Sequence, residues 1–362
     1  MTVESPLQAV HQQLGASFTD FAGWNMPVRY SSELAEHRAV REAAGIFDLS
    51  HMAEIEITGA EVGQMLDHAF VGNFSNLKVG RARYSMLCDE DGGILDDLVT
   101  YRLDDEQYLV VANAANAEVA LAALRERAGS FDADVSDRNH DYALIAVQGP
   151  NAAAIVGPLA DTDLTGLKYY GIVPAVVAGQ EVLLARTGYT GEDGFELYCT
   201  PAQAEPLWQS LTDAGEPYGL TPAGLACRDT LRLEAGMPLY GNELSRETTP
   251  FEANMGRMVK FEKTTEFVGQ AALAERQQNP TGKTLVGLQG SGKRAPRTGY
   301  RVLDGDTDIG AITSGTLSPT LGYPIAIASI DSSRNEPGTK LTVDVRGRAH
   351  DVEVVALPFY KR

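Results

Sequence analysis

The sequence predicts an α+β chain of more than one domain, ending in a small antiparallel barrel or sandwich. Three observations carry that reading. The chain has 362 residues, long for one domain at roughly 100–200 residues each. Helix and strand signals follow one another without a regular βαβ rhythm through the first 280 residues. Beyond that point short β-like runs punctuated by Gly and Pro take over. In order, residues 32–44 read as a helix, with Ser32 as cap and Gly45 just past its end. Ile55 and Ile57 alternate as a strand ending at Gly59, and residues 61–70 form a short helix with Val62, Met65, Leu66 and Ala69 on one side. Residues 84–103 read as strand, turn, strand, with Asp89-Glu90-Asp91-Gly92-Gly93 as the turn. A strand at 108–112 precedes a helix from Asn116 to about Ala128. A strand at 142–147 stops at Gly149-Pro150, residues 176–186 form a hairpin around Gly179, and 195–199 is a strand. Helices are expected over 202–214 and 223–235. The final runs are 284–288, 309–313, 324–330, 341–345 and 352–357, with 277–282 as linker. The domain expectation is therefore 1–280 and 281–362.

Charge narrows the class. The net charge is −19, and a polyanion is a poor match for nucleic acid, whose phosphates need Lys and Arg. The imbalance is uneven: residues 281–362 hold 11 basic and 8 acidic side chains. Cys88, Cys199 and Cys227 are few, odd in number and far apart, so neither a disulfide framework nor a zinc site is expected. The N-terminal residues show no signal-peptide pattern, and no apolar run approaches a membrane span. A cytoplasmic chain without membrane partners is expected. The six histidines form no H-x-x-x-H, so no metal is expected. Gly287 to Arg294 nearly matches a phosphate-binding loop, but Arg294 stands where a hydroxyl is needed. The glycines at 188, 191 and 194 lead into a strand rather than a helix. No nucleotide is expected.

What remains is carboxylate and guanidinium chemistry. On the strand at 94–103, Asp97 alternates onto one face with Leu95, Val99, Tyr101 and Leu103. That face is the more apolar, so desolvation would fit Asp97 for acid–base work. The same pattern fits a solvated or turn-stabilising acid. Asp96, on the other face with Arg102, is expected to make a surface ion pair. In Arg186-Thr-Gly-Tyr189-Thr-Gly-Glu-Asp-Gly-Phe-Glu196, the glycines allow close approach of the backbone, Tyr189 offers a flat face, and Glu196 can accept N–H groups of a ring. A tight strand connection explains the same segment. Arg228, on the helix at 223–235, suits a carbonyl or carboxylate ligand, or a surface ion pair with Asp229 or Glu234. Met52 fits a core as readily as a ligand contact.

Taken in order, these motifs resemble a known family. They are Phe21-Ala-Gly-Trp24, Phe47-Asp48-Leu-Ser50-His51-Met52, Gly92-Gly93-Ile-Leu-Asp96-Asp97, Gln148-Gly149-Pro150, the 186–196 segment, Ala226-Cys-Arg228-Asp229, Leu239-Tyr240-Gly241 and Ile312-Thr313-Ser314-Gly315. From about residue 6 to Tyr360 the chain resembles the T proteins of the glycine cleavage system, which are aminomethyltransferases. The resemblance implies two folate-binding α+β domains with antiparallel sheets and a C-terminal antiparallel β-barrel, arranged as a cloverleaf around a central channel. It implies transfer of a methylene carbon from an aminomethyl group on the lipoyl arm of the carrier (H) protein to tetrahydrofolate. The products would be 5,10-methylenetetrahydrofolate, ammonia and dihydrolipoyl carrier. Through that carrier the glycine decarboxylase and dihydrolipoyl dehydrogenase components would also act. It further implies Asp97 as acid/base, Glu196 on the pterin N–H edge, Arg228 on its carbonyl side, and Tyr84, Tyr101, Tyr189, Met52 and Asn113 lining the pocket. Met237 and Ala53 depart from the family's residues there. A related folate-dependent demethylase of a small methylated substrate is the alternative.

Overall fold

The computed structural model describes residues 2–362. The chain forms two compact units, and it crosses between them several times. One holds the chain up to Ala69 with residues 73–85 and 98–229; the other holds residues 70–72, 86–97 and 230–362.

The first unit is built on antiparallel sheet with helices behind it. Its largest sheet has the strand order Ile172–Val177, Gln180–Ala185, Gly194–Cys199, Ala143–Gln148, Ala44–Asp48 and Leu220–Pro222. All neighbours are antiparallel except the last pair, which is parallel. Phe195, Leu197 and Cys199 alternate into a core with Trp208, Leu207 and Leu211 of the helix Pro201–Gly215 and Ile155 of the helix Ala152–Val156. Period-two alternation therefore turns Glu196 and Tyr198 to the opposite face. A three-stranded sheet joins Val3–Glu4, Trp24–Arg29 and Ser17–Phe21, its first pair also parallel. A further sheet, whose first two strands have residues in both units, runs in the order Arg81–Cys88, Ile94–Asp104, Gln107–Ala112, Ala53–Thr58 and Asp134–Asp137.

Most expected elements form, within a residue or two. Ser32 caps the helix Glu33–Glu42 by accepting from Ala35 N at 3.2 Å. Gly45 is a correction: it lies inside the strand Ala44–Asp48 rather than at a helix end. A side chain there would meet Val40 and Ala223, so packing selects the glycine. The sequence reading missed the hairpin Ser17–Phe21/Trp24–Arg29. The first of its strands is largely exposed, which blunts the apolar alternation.

The second unit contains the closed barrel. Its strand order is Lys283–Gly290, Pro324–Asp331, Thr307–Leu317, Arg301–Asp304, Lys340–Asp344 and Ala349–Val355, returning to the first. Every pair is antiparallel, and closure leaves no free edge. Val286, Leu288, Ile312, Ala328, Val343 and Val354 fill its interior. The four-residue strand Arg301–Asp304 and the helix Gln270–Gln278 were not foreseen. No helix among the described residues is long and apolar enough to cross a membrane.

Candidate active site

In the first unit the segment 187–193 is pinned from three sides. Arg186 closes it with a two-point ion pair to Asp193, Nε to Oδ1 at 3.0 Å and Nη2 to Oδ2 at 2.5 Å. Buried Arg41 donates to Thr190 O at 2.7 Å and to Glu192 Oε1 at 2.9 Å. The buried Gln148 side chain donates to Thr187 O at 3.0 Å and accepts from Thr190 Oγ1 at 3.0 Å. A Cβ on Gly188 or on Gly194 would overlap that Gln148 side chain. Those two glycines therefore exist to let Gln148 pass.

This frame aims a cluster of side chains. Glu196 Oε2 accepts from the Thr187 hydroxyl and, at 3.4 Å, from Tyr101 OH. Tyr101 OH and Thr187 Oγ1 are 2.9 Å apart, and Tyr198 OH donates to Tyr101 OH at 3.3 Å. Burial, reinforced by neighbouring acidic groups, pushes both phenols well above their ordinary range, so they stay protonated donors. Burial also raises Glu196, opposed by the Thr187 hydrogen bond and then by the Arg228 charge. Arg228 rises from the helix Leu225–Glu234 and stacks on Tyr189, its Cζ 4.8 Å from the ring centroid. The surface ion pairs weighed for Arg228 are not its arrangement: its charge faces Glu196 and its plane faces Tyr189. Burial lowers its pKa and Glu196 holds it up.

Beside Arg228 lies His51, buried, with no hydrogen-bond partner at Nδ1. Burial, then the Arg228 charge, pushes its pKa down to about 4, so it is neutral near pH 7. Asp48, three residues earlier, anchors the turn. It accepts from the Ser5 hydroxyl, from Ser50 N at 2.9 Å and binds His11 Nε2 at 2.8 Å. Met52 follows, half-buried. Tyr84 lies on the strand Arg81–Cys88 and Asn113 opens the short helix Ala114–Asn116, both half-buried. Thr187, Tyr198, Gln148 and His51 were not anticipated as site residues. Tyr198 was findable, since it sits two positions from Glu196 on one strand face.

Asp97 belongs to the second unit and is half-buried. Asp96 is a correction: it is fully buried rather than on the surface. Its face also carries Ile94, Leu98 and Thr100, all buried, so this is the deeper face of the strand. Arg102 instead pairs with Asp105 at 3.1 Å and donates to Leu77 O at 2.7 Å. No cluster of three metal-ligating side chains occurs among the described residues, and all three cysteines are buried thiols outside any disulfide.

An α+β unit whose Glu196 carboxyl faces a stacked guanidinium, and a second unit that holds a closed barrel, define a two-part class of protein. Comparison narrows it. The family described as "GCVT N-terminal domain" matches residues 7–263, and the "Glycine cleavage T-protein C-terminal barrel domain" matches 283–361. The chain is 60% identical over 360 residues to the aminomethyltransferase of Saccharopolyspora erythraea, covering 99% of this chain and 98% of the relative. It is 43% identical over 363 residues to that of Bacillus subtilis, covering all of both. The crystal structure of glycine cleavage system aminomethyltransferase T from Bartonella henselae superposes with a TM-score of 0.93 at 35% identity, over 100% of this chain and 99% of that one. The chain belongs to the glycine cleavage T-protein family, and it is an aminomethyltransferase.

Proposed function

We propose that the enzyme takes the methylene carbon from an aminomethyl group held as a thioether on the lipoyl arm of the glycine cleavage carrier (H) protein. Tetrahydrofolate accepts it, and 5,10-methylenetetrahydrofolate, ammonia and dihydrolipoyl carrier are released. The glycine decarboxylase and dihydrolipoyl dehydrogenase components act through the same carrier. Residues 1–280 are proposed as the folate-handling region and 281–362 as a separate barrel domain.

The observation that carries the folate half is the Glu196 arrangement. Both hydroxyl contacts from the protein end on Oε2. Oε1 then serves the N–H edge of a pterin, as a carboxylate aligned by buried donors does well. Arg228, stacked and desolvated, faces the ring's carbonyl. Tyr84, Tyr101, Tyr189, Met52 and Asn113 complete the lining.

The proton count gives Asp97 its role. Folate N5 and N10 each lose one proton as the methylene bridge forms. The departing amine and the departing thiolate each need one. Two protons therefore move from nucleophile to leaving group, with no net change, and one carboxyl can carry both in turn. Asp97 is half-exposed and Asp96 fully buried, which supports Asp97 as the acid that a substrate reaches. Holding both substrates in place supplies the rest of the acceleration.

The test is equilibrium binding of tetrahydrofolate to wild type, Glu196→Gln and Arg228→Gln. Each variant should weaken binding about tenfold or more, the scale of a charge-assisted hydrogen bond. Glu196 offers two charge-assisted acceptors to N–H groups only when ionised, and its pKa lies above the ordinary carboxylate value. Wild-type affinity should therefore fall as pH drops through that raised value, and Glu196→Gln should lose the dependence. Unchanged affinity in both variants would remove folate from this site.

A further inference from the structure

The Leu239-Tyr240-Gly241 motif has no role in the site just described, yet it lies against the strand that bears Asp97. Within the second unit, the Tyr240 hydroxyl donates to Ile94 O at 2.9 Å. On the other side of the same residue, Ile94 N donates to Ser245 O at 3.2 Å and to Thr248 O at 3.1 Å. One residue earlier, a Cβ on Gly93 would overlap Arg246 O, so the loop backbone packs directly on the strand entry. The loop is itself braced. Tyr240 pairs with Leu244 in an isolated bridge, Gly241 N donates to Leu244 O at 2.8 Å, and Ser245 N donates to Thr248 Oγ1 at 2.9 Å. Gly241 adopts φ +90°, which lets the chain turn back there.

Residue 94 is thus held at both its N–H and its C=O by one loop, three positions before Asp97. A strand side chain inherits its direction from the backbone of the residues before it, and a small tilt at 94 displaces a carboxyl at 97. We propose that Tyr240 is a positioning residue for Asp97, its hydroxyl fixing the Ile94 carbonyl and so the angle at which the carboxyl meets substrate. The proposal rests on the reading of Asp97 as the acid/base.

The electrostatics of Tyr240 agree with that place. Burial raises its pKa, then the Asp96 carboxylate; Glu247 and Asp97 add to this and Arg246 opposes it. These are the charged groups around the phenol, and together they keep its proton on oxygen, where it can donate. The hydroxyl therefore remains a donor throughout the working pH range.

The experiment compares Tyr240→Phe, Tyr240→Leu and Asp97→Asn in a turnover assay, with tetrahydrofolate binding measured alongside. Tyr240→Phe keeps the ring and removes only the donor. It should lower kcat about tenfold while leaving the folate KM and the equilibrium affinity within about twofold. A role in packing alone would spare Tyr240→Phe and would show only in the unfolding midpoint of Tyr240→Leu. If Tyr240→Phe turns over like wild type while Asp97→Asn is inactive, the positioning role is wrong and the reading of Asp97 stands. If Asp97→Asn itself remains active, the reading beneath the proposal has failed instead.

Discussion

Glu54 shows how much one side chain can carry. It lies on the strand Ala53–Thr58, 1% exposed, and neither carboxyl oxygen has a hydrogen-bond partner. Burial pushes its pKa well above the usual 4.5. Above pH 4.5 the unfolded chain loses this proton while the folded chain keeps it, so stability declines as pH rises. His51 works in the opposite sense. Between 6.5 and about 4 the unfolded chain takes up a proton that the folded chain refuses, so stability declines as pH drops through that window. From 4.5 to 6.5 the two slopes oppose each other, and above 6.5 the carboxyl slope is left. Glu54→Gln takes up no proton on folding and should therefore stabilise the protein at pH 8 by about 1 kcal/mol or more, since one pKa unit is about 1.4 kcal/mol, and should flatten the alkaline decline. Urea unfolding from pH 5 to 9 measures both. A variant that declined as steeply as wild type would mean that Glu54 is ionised in the fold.

At the scale of an element, the segment 187–193 depends on small residues as well as on the ion pair and hydrogen bonds that pin it. Gly188 and Gly194 flank the Gln148 side chain, which two hydrogen bonds hold in place. Gly188→Ala should cost about 1–3 kcal/mol, as overpacking of a fixed neighbour does. It should also weaken tetrahydrofolate binding, because Thr187 and Tyr189 flank the substituted position. Calorimetry and binding on one preparation would separate the two effects. Full stability in Gly188→Ala would show that Gln148 has room to move. The spacing of these glycines was plain in the sequence, but their reason was not. Gln148 lies about forty residues earlier, and only the pairing of Ala143–Gln148 with Gly194–Cys199 brings it there.

At the scale of the whole molecule, the legible features were those with a local cause. The Ser32 cap, the Asp89–Gly93 turn and the change to short strands near residue 280 follow from neighbouring residues, and the structure has them. The 186–196 segment and Arg228 were visible as motifs, whereas the Tyr189 stack and the Thr187–Tyr101–Tyr198 chain depend on contacts between distant segments. The faces of Asp96 and Asp97 were misjudged for a related reason. Alternation tells which residues share a face, and the packing partners decide which face is deeper. The choice of Asp97 now rests on access rather than on desolvation. One measurement tests it most directly: formation of methylenetetrahydrofolate from tetrahydrofolate and aminomethylated lipoyl carrier, by wild type, Asp97→Asn and Asp96→Asn. The account predicts carrier-dependent turnover in wild type, and a loss of about a hundredfold or more in Asp97→Asn, the usual range for removing an acid–base group, with tetrahydrofolate still bound. Turnover within a few-fold of wild type in Asp97→Asn, or collapse only in Asp96→Asn, would contradict it.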